Sequence, residues 1–222
     1  MDGVPESTGR TGGDLSRSWR LSRAALSFTI DQAAHGLTGL NAIDALLVMA
    51  INQANIVLLT HDPGARRAYG GLETPAPDES RRPVSVNAIA TPPALPFATV
   101  RRHIGRLEAA GVCRHAGRGV IVPAAYLNSE AYRQDVMGAH ARLARLYQDL
   151  SAADLLEPLP PSAFALSVDP PIRAAARLLS DFLLRTADIL TRQTQDIASG
   201  LALAAVMIAS PPLATPPQTR AG

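Results

Sequence analysis

At 222 residues and 47% hydrophobic composition the chain can bury a substantial core, and a single cysteine, Cys113, excludes an internal disulfide framework or a cysteine-rich zinc site. Aromatic residues make up only 4% while Ala and Leu recur through every periodic segment, which favours packed helices over a sheet-rich sandwich. The net charge is +2 and all 21 basic residues are Arg, so the overall balance does not by itself point to a polyanionic partner.

Residues 1–22 carry Gly, Ser, Thr and charges without an apolar run; they read as a disordered tail and not as a secretory signal, and a cytoplasmic location is expected. Between Leu40 and Leu59 apolar residues occupy nearly every side, with Asp44, Asn52, Gln53 and Asn55 as polar breaks. Such a helix is buried broadly, as a central core helix or as part of a dimer interface. From His61 to Arg82 the chain turns rich in Gly, Pro and charge, which predicts a loop.

The next segment, Arg81 to Pro123, divides by its punctuation. Val84 is a short extended stretch, and Ser85 can cap a helix over about Val86 to Thr91 that Pro92 and Pro93 stop. Pro96 suits the start of a second helix running to Ala110, with Gly111 as its stop. On that helix Val100, Ile104 and Leu107 form a buried stripe, joined at its edge by Phe97. Ala98, Arg102, Gly105, Arg106 and Ala109 lie opposite, with Thr99, Arg101 and His103 on the shoulders. Small residues between long cations let a helix backbone approach a groove while guanidinium groups reach phosphates or guanine edges. Val112–Arg114 and Val120–Val122 read as two strands joined by a basic turn, His115 to Gly119, in which Gly117 and Gly119 supply positive φ. Arg118 stands at the tip, where it would meet a DNA backbone or a narrow minor groove.

Charge is concentrated in this unit. It holds seven arginines (81, 82, 101, 102, 106, 114 and 118) against one acid, Glu108, which leaves the rest of the chain acidic. Attachment through one basic face needs that kind of segregation.

The stretch SVNAIATPPALPFATVRRHIGRLEAAGVCRHAGRGVIV resembles the winged helix-turn-helix of GntR-like and MarR-like bacterial transcription regulators. The likeness lies in a helix ending "IA", a turn, and "TVRRHIGRLEAAGV" leading into a basic hairpin. It covers under a fifth of the chain. It implies a three-helix core with a β-hairpin wing and flanking helices in a mainly α protein. Thr99, Arg101 and Arg102 would then stand at the start of the recognition helix, Arg106 on the same face and Arg118 in the wing. Ser85, His103, Arg114 and His115 complete the expected DNA-binding set. The module lies well inside the chain, where GntR-like proteins usually carry it near the N-terminus, and its turn is richer in proline than usual.

Beyond the hairpin, residues 125–150 read as one amphipathic helix with Tyr132, Val136, Leu143, Leu146 and Leu150 in register. Residues 23–150 are expected to form the winged-helix domain with its neighbouring helices. Residues 151–170 read as a proline-rich linker and 171–209 as a C-terminal helical region split near Ser199–Gly200, with a disordered tail over 210–222. The stripe Ala176, Leu179, Leu183, Ala187 and Leu190 suits dimer packing or an effector pocket.

Cys113 and His115 are two ligand types on one strand face, fewer than a zinc site uses, and a redox role for Cys113 would need a lowered thiol pKa. No Gly-rich phosphate loop, nucleophile elbow or framed carboxylate pair is present, so no enzymatic activity and no cofactor is expected. The expected partners are double-stranded DNA and a second copy of the chain, with an unidentified small-molecule effector and no membrane. The alternative is a winged-helix scaffold whose basic face meets an acidic protein or RNA.

Overall fold

A computed structural model describes residues 12–90, 96–157 and 170–210. Over these residues the protein is mainly helical, with one small antiparallel hairpin. No helix among them is long and apolar enough to cross a membrane.

The first helix, α1 (Gly12–His35), begins ten residues before the expected end of a disordered tail. Its early turns are tied down at a distance. Arg17 donates to the Leu155 carbonyl (3.2 Å) and Arg20 to that of Ala153 (3.4 Å), while Phe28, Thr29 and Gln32 are buried further along. Polar composition hid this helix, because the partners that hold it lie more than a hundred residues away.

Asn41 caps α2 (Ala42–Ile56), its side chain accepting from the Asp44 amide at 2.9 Å. This helix is the centre of the molecule. Leu47, Val48 and Ile51 pack with Ile89, Val100, Ile104, Leu107, Val120 and Val122 in one core. The expected loop after it contains a short helix, α3 (Pro63–Tyr69), and a 3-10 turn at Asp78–Ser80. Asp62 caps α3 through the Gly64 and Ala65 amides, and Pro63 stands in the first turn, where no amide donor is needed.

As expected, Ser85 caps α4 (Val86–Ala90), its hydroxyl accepting from the Ala88 amide at 3.3 Å. The stop at Pro92 and Pro93 lies outside the described residues. Helix α5 (Phe97–Ala109) follows, and Gly111 takes a φ of +71° just beyond its end.

Strands β1 (Arg114–Ala116) and β2 (Gly119–Ile121) pair antiparallel, with Ala116 opposite Gly119. The turn is therefore two residues, Gly117 and Arg118, tighter than the five-residue turn expected. Gly117 has the positive φ (+57°) such a turn requires. Gly119 does not; it is needed for close approach. A Cβ there would stand 2.8 Å from the Val84 carbonyl oxygen, because Val84 bridges Val120 and extends the hairpin by a third extended segment.

The single amphipathic helix expected after the hairpin is two: α6 (Ala124–Leu127) and α7 (Glu130–Ala152). The break follows from Ser129, whose hydroxyl accepts from the Tyr132 amide and starts α7 anew. Residues 158–169 of the expected linker lie outside the described residues, as does the tail beyond 210.

The C-terminal region is α8 (Ile172–Thr194) and α9 (Ile197–Ala209). The chain turns at Gln195 (φ +71°) and Asp196, not at Ser199–Gly200. Asp196 caps α9 through the Ser199 amide and hydroxyl, whereas Gly200 lies inside α9, where a Cβ would come 2.8 Å from that of Leu190. Helix α8 packs on α2 and α7, and α9 packs on α1 and α8. Arg173 donates to the carbonyls of Leu72 and Leu127, and Gln53 donates to that of Arg177.

Candidate nucleic-acid interface

Helix α5 buries Val100, Ile104 and Leu107 at 0–2% exposure, which turns the opposite face outward as their spacing predicts. Arg101 and Arg102 are exposed there, beside Ala98, Gly105 and Ala109. Among the described residues neither guanidinium has a hydrogen-bond or ion-pair partner. The same holds for Arg118 at the tip of the hairpin and Arg82 at its base. Thr99 is half-buried in the first turn of α5. Phe97, expected at the edge of the buried stripe, is instead 49% exposed on the outer side.

Several expected DNA contacts are engaged within the protein. His103 is buried, not on a shoulder, and its ring Nδ1 lies 2.6 Å from Asp44 Oδ1. Arg106 Nη2 approaches Asp44 Oδ2 at 3.3 Å and also lies 2.8 Å from His103 Nδ1. One ring nitrogen cannot donate to a carboxylate and accept from a guanidinium together. The Asp44 carboxylate, with two acceptor oxygens, takes both donors. Arg106 is therefore half tethered, its side chain 54% exposed.

On the hairpin Arg114 donates to Asp78 Oδ2 at 2.9 Å, and His115 meets Glu108 Oε1 through both its amide and its ring. These bonds fasten β1 to α5 and to the 3-10 turn. Asp78 also accepts from the Ala124 amide at 2.7 Å. Partial burial works to raise its pKa, but the Ala124 amide and Arg114 outweigh it and hold the carboxyl below its ordinary value. Arg81, counted in the basic cluster, is 5% exposed and donates to the Ala76 carbonyl and to Asn52 Oδ1. The outward positive charge of the unit thus rests on Arg82, Arg101, Arg102 and Arg118, with part of Arg106.

Two residues that composition marked only as polar breaks organise this face. Asp44 positions His103 and Arg106. Asn55, 1% exposed, donates to the carbonyls of Arg82 (2.8 Å) and Val120 (3.1 Å) and accepts from the Val122 amide (2.9 Å). Its amide is saturated and pins the hairpin to α2. A signal for both was present: Asp44, Val48, Ile51 and Asn55 recur at helical spacing, so the two polar residues end the same inward stripe.

Cys113 is buried, and burial, followed by the nearby Glu108 charge, pushes its thiol up to about 12. It packs as a small apolar side chain, without the lowered thiol pKa that a redox role would need. Among the described residues no three His, Cys, Asp or Glu side chains gather to hold a metal.

Comparison with protein-family models, with curated proteins and with solved structures finds no match for this chain.

Proposed function

We propose that the protein is a sequence-specific DNA-binding transcription regulator whose residues 81–123 act as a winged helix-turn-helix. The observation that carries this reading is the outer face of α5, where Arg101 and Arg102 stand exposed and unpaired beside Ala98, Gly105 and Ala109. Gly105 sharpens it. A Cβ there would meet nothing within 4 Å, so no packing inside the protein calls for a glycine that costs an exposed helix about 1 kcal/mol relative to Ala. Close approach of a second surface, such as a groove wall, gives it a purpose. In this reading α5 enters a major groove, Arg101 or Arg102 reaches a guanine edge, and Arg118 holds the backbone beside it.

The protein acts as a homodimer, because one module reads few base pairs and a two-fold pair matches a palindromic site. Leu178, Phe182 and Ile189 on α8 and Leu203, Val206 and Met207 on α9 are exposed apolar side chains that favour pairing there. The buried residues of α2 pack inside the protein, which favours the central core role of the two its sequence allows.

The deciding experiment is binding of random-sequence duplex DNA over a salt series, followed by selection of preferred sequences. Affinity is expected to fall steeply as salt rises, and selection to yield a two-fold symmetric site. Affinity indifferent to salt would overturn the reading in favour of a protein-binding scaffold.

A further inference from the structure

Where α2, α3, α6, α7 and α8 meet, the chain leaves a cavity of about 60 Å³ lined by four arginines, Arg66, Arg81, Arg173 and Arg177, with Asn52 and Tyr132 beside them. Among the described residues no carboxylate lines it. Backbone carbonyls hold the elements around it. The Ala174 amide at the start of α8 donates to the Gly70 carbonyl at the end of α3 (3.1 Å), and Arg173 Nε donates to that of Leu72 (2.8 Å). A water needs roughly 10–15 Å³, so the space suits a few waters or one tetrahedral oxyanion and is too small for an ordinary metabolite.

The charge around this space is not balanced. Arg81 uses Nε on the Ala76 carbonyl and Nη1 on Asn52 Oδ1, which leaves the N–H groups of Nη2 unengaged among the described residues. Its ion-pair partner Asp78 lies 3.9 Å from Nε and is shared with Arg114 and the Ala124 amide. Arg173 spends its guanidinium on the carbonyls of Leu72 and Leu127, which carry no full charge. Arg66 is exposed and Arg177 half-buried, and among the described residues neither guanidinium has a hydrogen-bond or ion-pair partner. Burial holds Arg81, Arg173 and Arg177 below the ordinary guanidinium value, and like charges add to it: Arg173 acts on Arg81, Arg133 on Arg173 and Arg66 on Arg177. Asp78 offsets part of this at Arg81 and Glu73 at Arg173, whereas at Arg177 both effects act in the same direction. Cations crowded into a partly buried space without an acid among them are destabilising until an anion joins them.

We propose that this cavity binds a phosphate-sized dianion, with Arg66 and Arg177 as its charged clamps and Arg81 Nη2 as a further donor. A guanidinium fork matches the edge of a tetrahedral oxyanion and pairs with it through two parallel hydrogen bonds. The volume limits the buried part of any occupant to the anion itself. None of the four arginines lies on α5 or on the hairpin, so the site does not depend on α5 meeting DNA.

Calorimetric titration of the full chain with sodium phosphate, against sodium chloride at equal ionic strength and without DNA, tests it. Phosphate is expected to bind saturably with a Kd below about 1 mM and to raise the thermal midpoint, and chloride to do neither. Arg177→Met keeps an apolar stem and loses the charge. It should weaken phosphate binding at least about tenfold while raising the midpoint of the phosphate-free protein, because the repulsion from Arg66 is gone. A merely structural Arg177 would lower that midpoint instead. Absence of saturable phosphate binding to the folded protein overturns the proposal, as does an affinity unchanged in Arg177→Met or a midpoint that rises equally with chloride. The DNA backbone is the other source of phosphate. Duplex affinity of Arg177→Met in phosphate-free buffer is expected to equal that of the native chain, and a fall of about tenfold would reassign these arginines to DNA and overturn the site. Failure of phosphate binding leaves the DNA-binding reading untouched, and failure of the native chain to bind DNA leaves this site standing.

Discussion

Two buried amides on opposite sides of α2 make a useful contrast. Asn55, toward the hairpin, has both its donors and its acceptor engaged by backbone groups of three other residues. Gln32, on α1, has its acceptor engaged and its donor buried without a partner. Saturation on the hairpin side pins β2 and the segment before α4 to α2 in one geometry. Incomplete pairing on the other side leaves a buried donor that gains nothing for the water it lost. The same helix lies between the two.

The contrast can be broken first at Asn55. Asn55→Leu keeps the volume but strands two carbonyls and an amide, and should cost about 3 kcal/mol or more in chemical denaturation. A loss below about 1 kcal/mol would show that the hairpin is held by packing alone. Exposed and tethered arginines should then separate. Arg101→Ala with Arg102→Ala is expected to change stability by less than about 0.5 kcal/mol, yet weaken duplex binding at least tenfold and lower the salt slope by roughly one per arginine. Arg106→Ala should also lower stability, because it releases Asp44; equal behaviour of the two variants would dissolve the distinction.

Gly105→Ala gives a smaller and opposite pair of effects. The added methyl meets open space, so the thermal midpoint should rise, corresponding to up to about 1 kcal/mol, while DNA affinity falls. A gain in stability with unchanged affinity would remove close approach at Gly105 from the account. The smallest effect concerns pH. The Asp78 carboxyl is held below its ordinary value in the folded protein, so its contribution is present above the unfolded value of about 3.9 and is lost as pH falls through the lower folded value. Asp78→Asn should therefore reduce stability at neutral pH and flatten the acid limb of the stability curve below about pH 4.

Much of the local architecture around α4, α5 and the hairpin is legible in the sequence. The stripe Val100, Ile104 and Leu107, the Ser85 cap, the stop at Gly111 and the positive φ of Gly117 each follow from a rule acting within one or two turns of chain. The Asp62-Pro63 start of α3 was equally local and was masked by the Gly, Pro and charge around it. What the sequence could not assign was which polar side chains remain available. His103 lies on a flank of α5 where periodicity allows either fate, and Asp44, 59 residues earlier, draws it inward. Arg81 was counted as surface charge, but Asn52 and the Ala76 carbonyl take it into the interior. Gln32 is one more polar residue on α1 until α7 supplies Arg142 to one end of its amide and nothing reaches the other. Sequence by itself determined the cap of α4, the stop after α5 and the apolar face of α5, because those depend on neighbours along the chain. Only the tertiary structure decided which charges are spent inside and which face outward, because each such pairing is made between elements that sequence alone does not bring together.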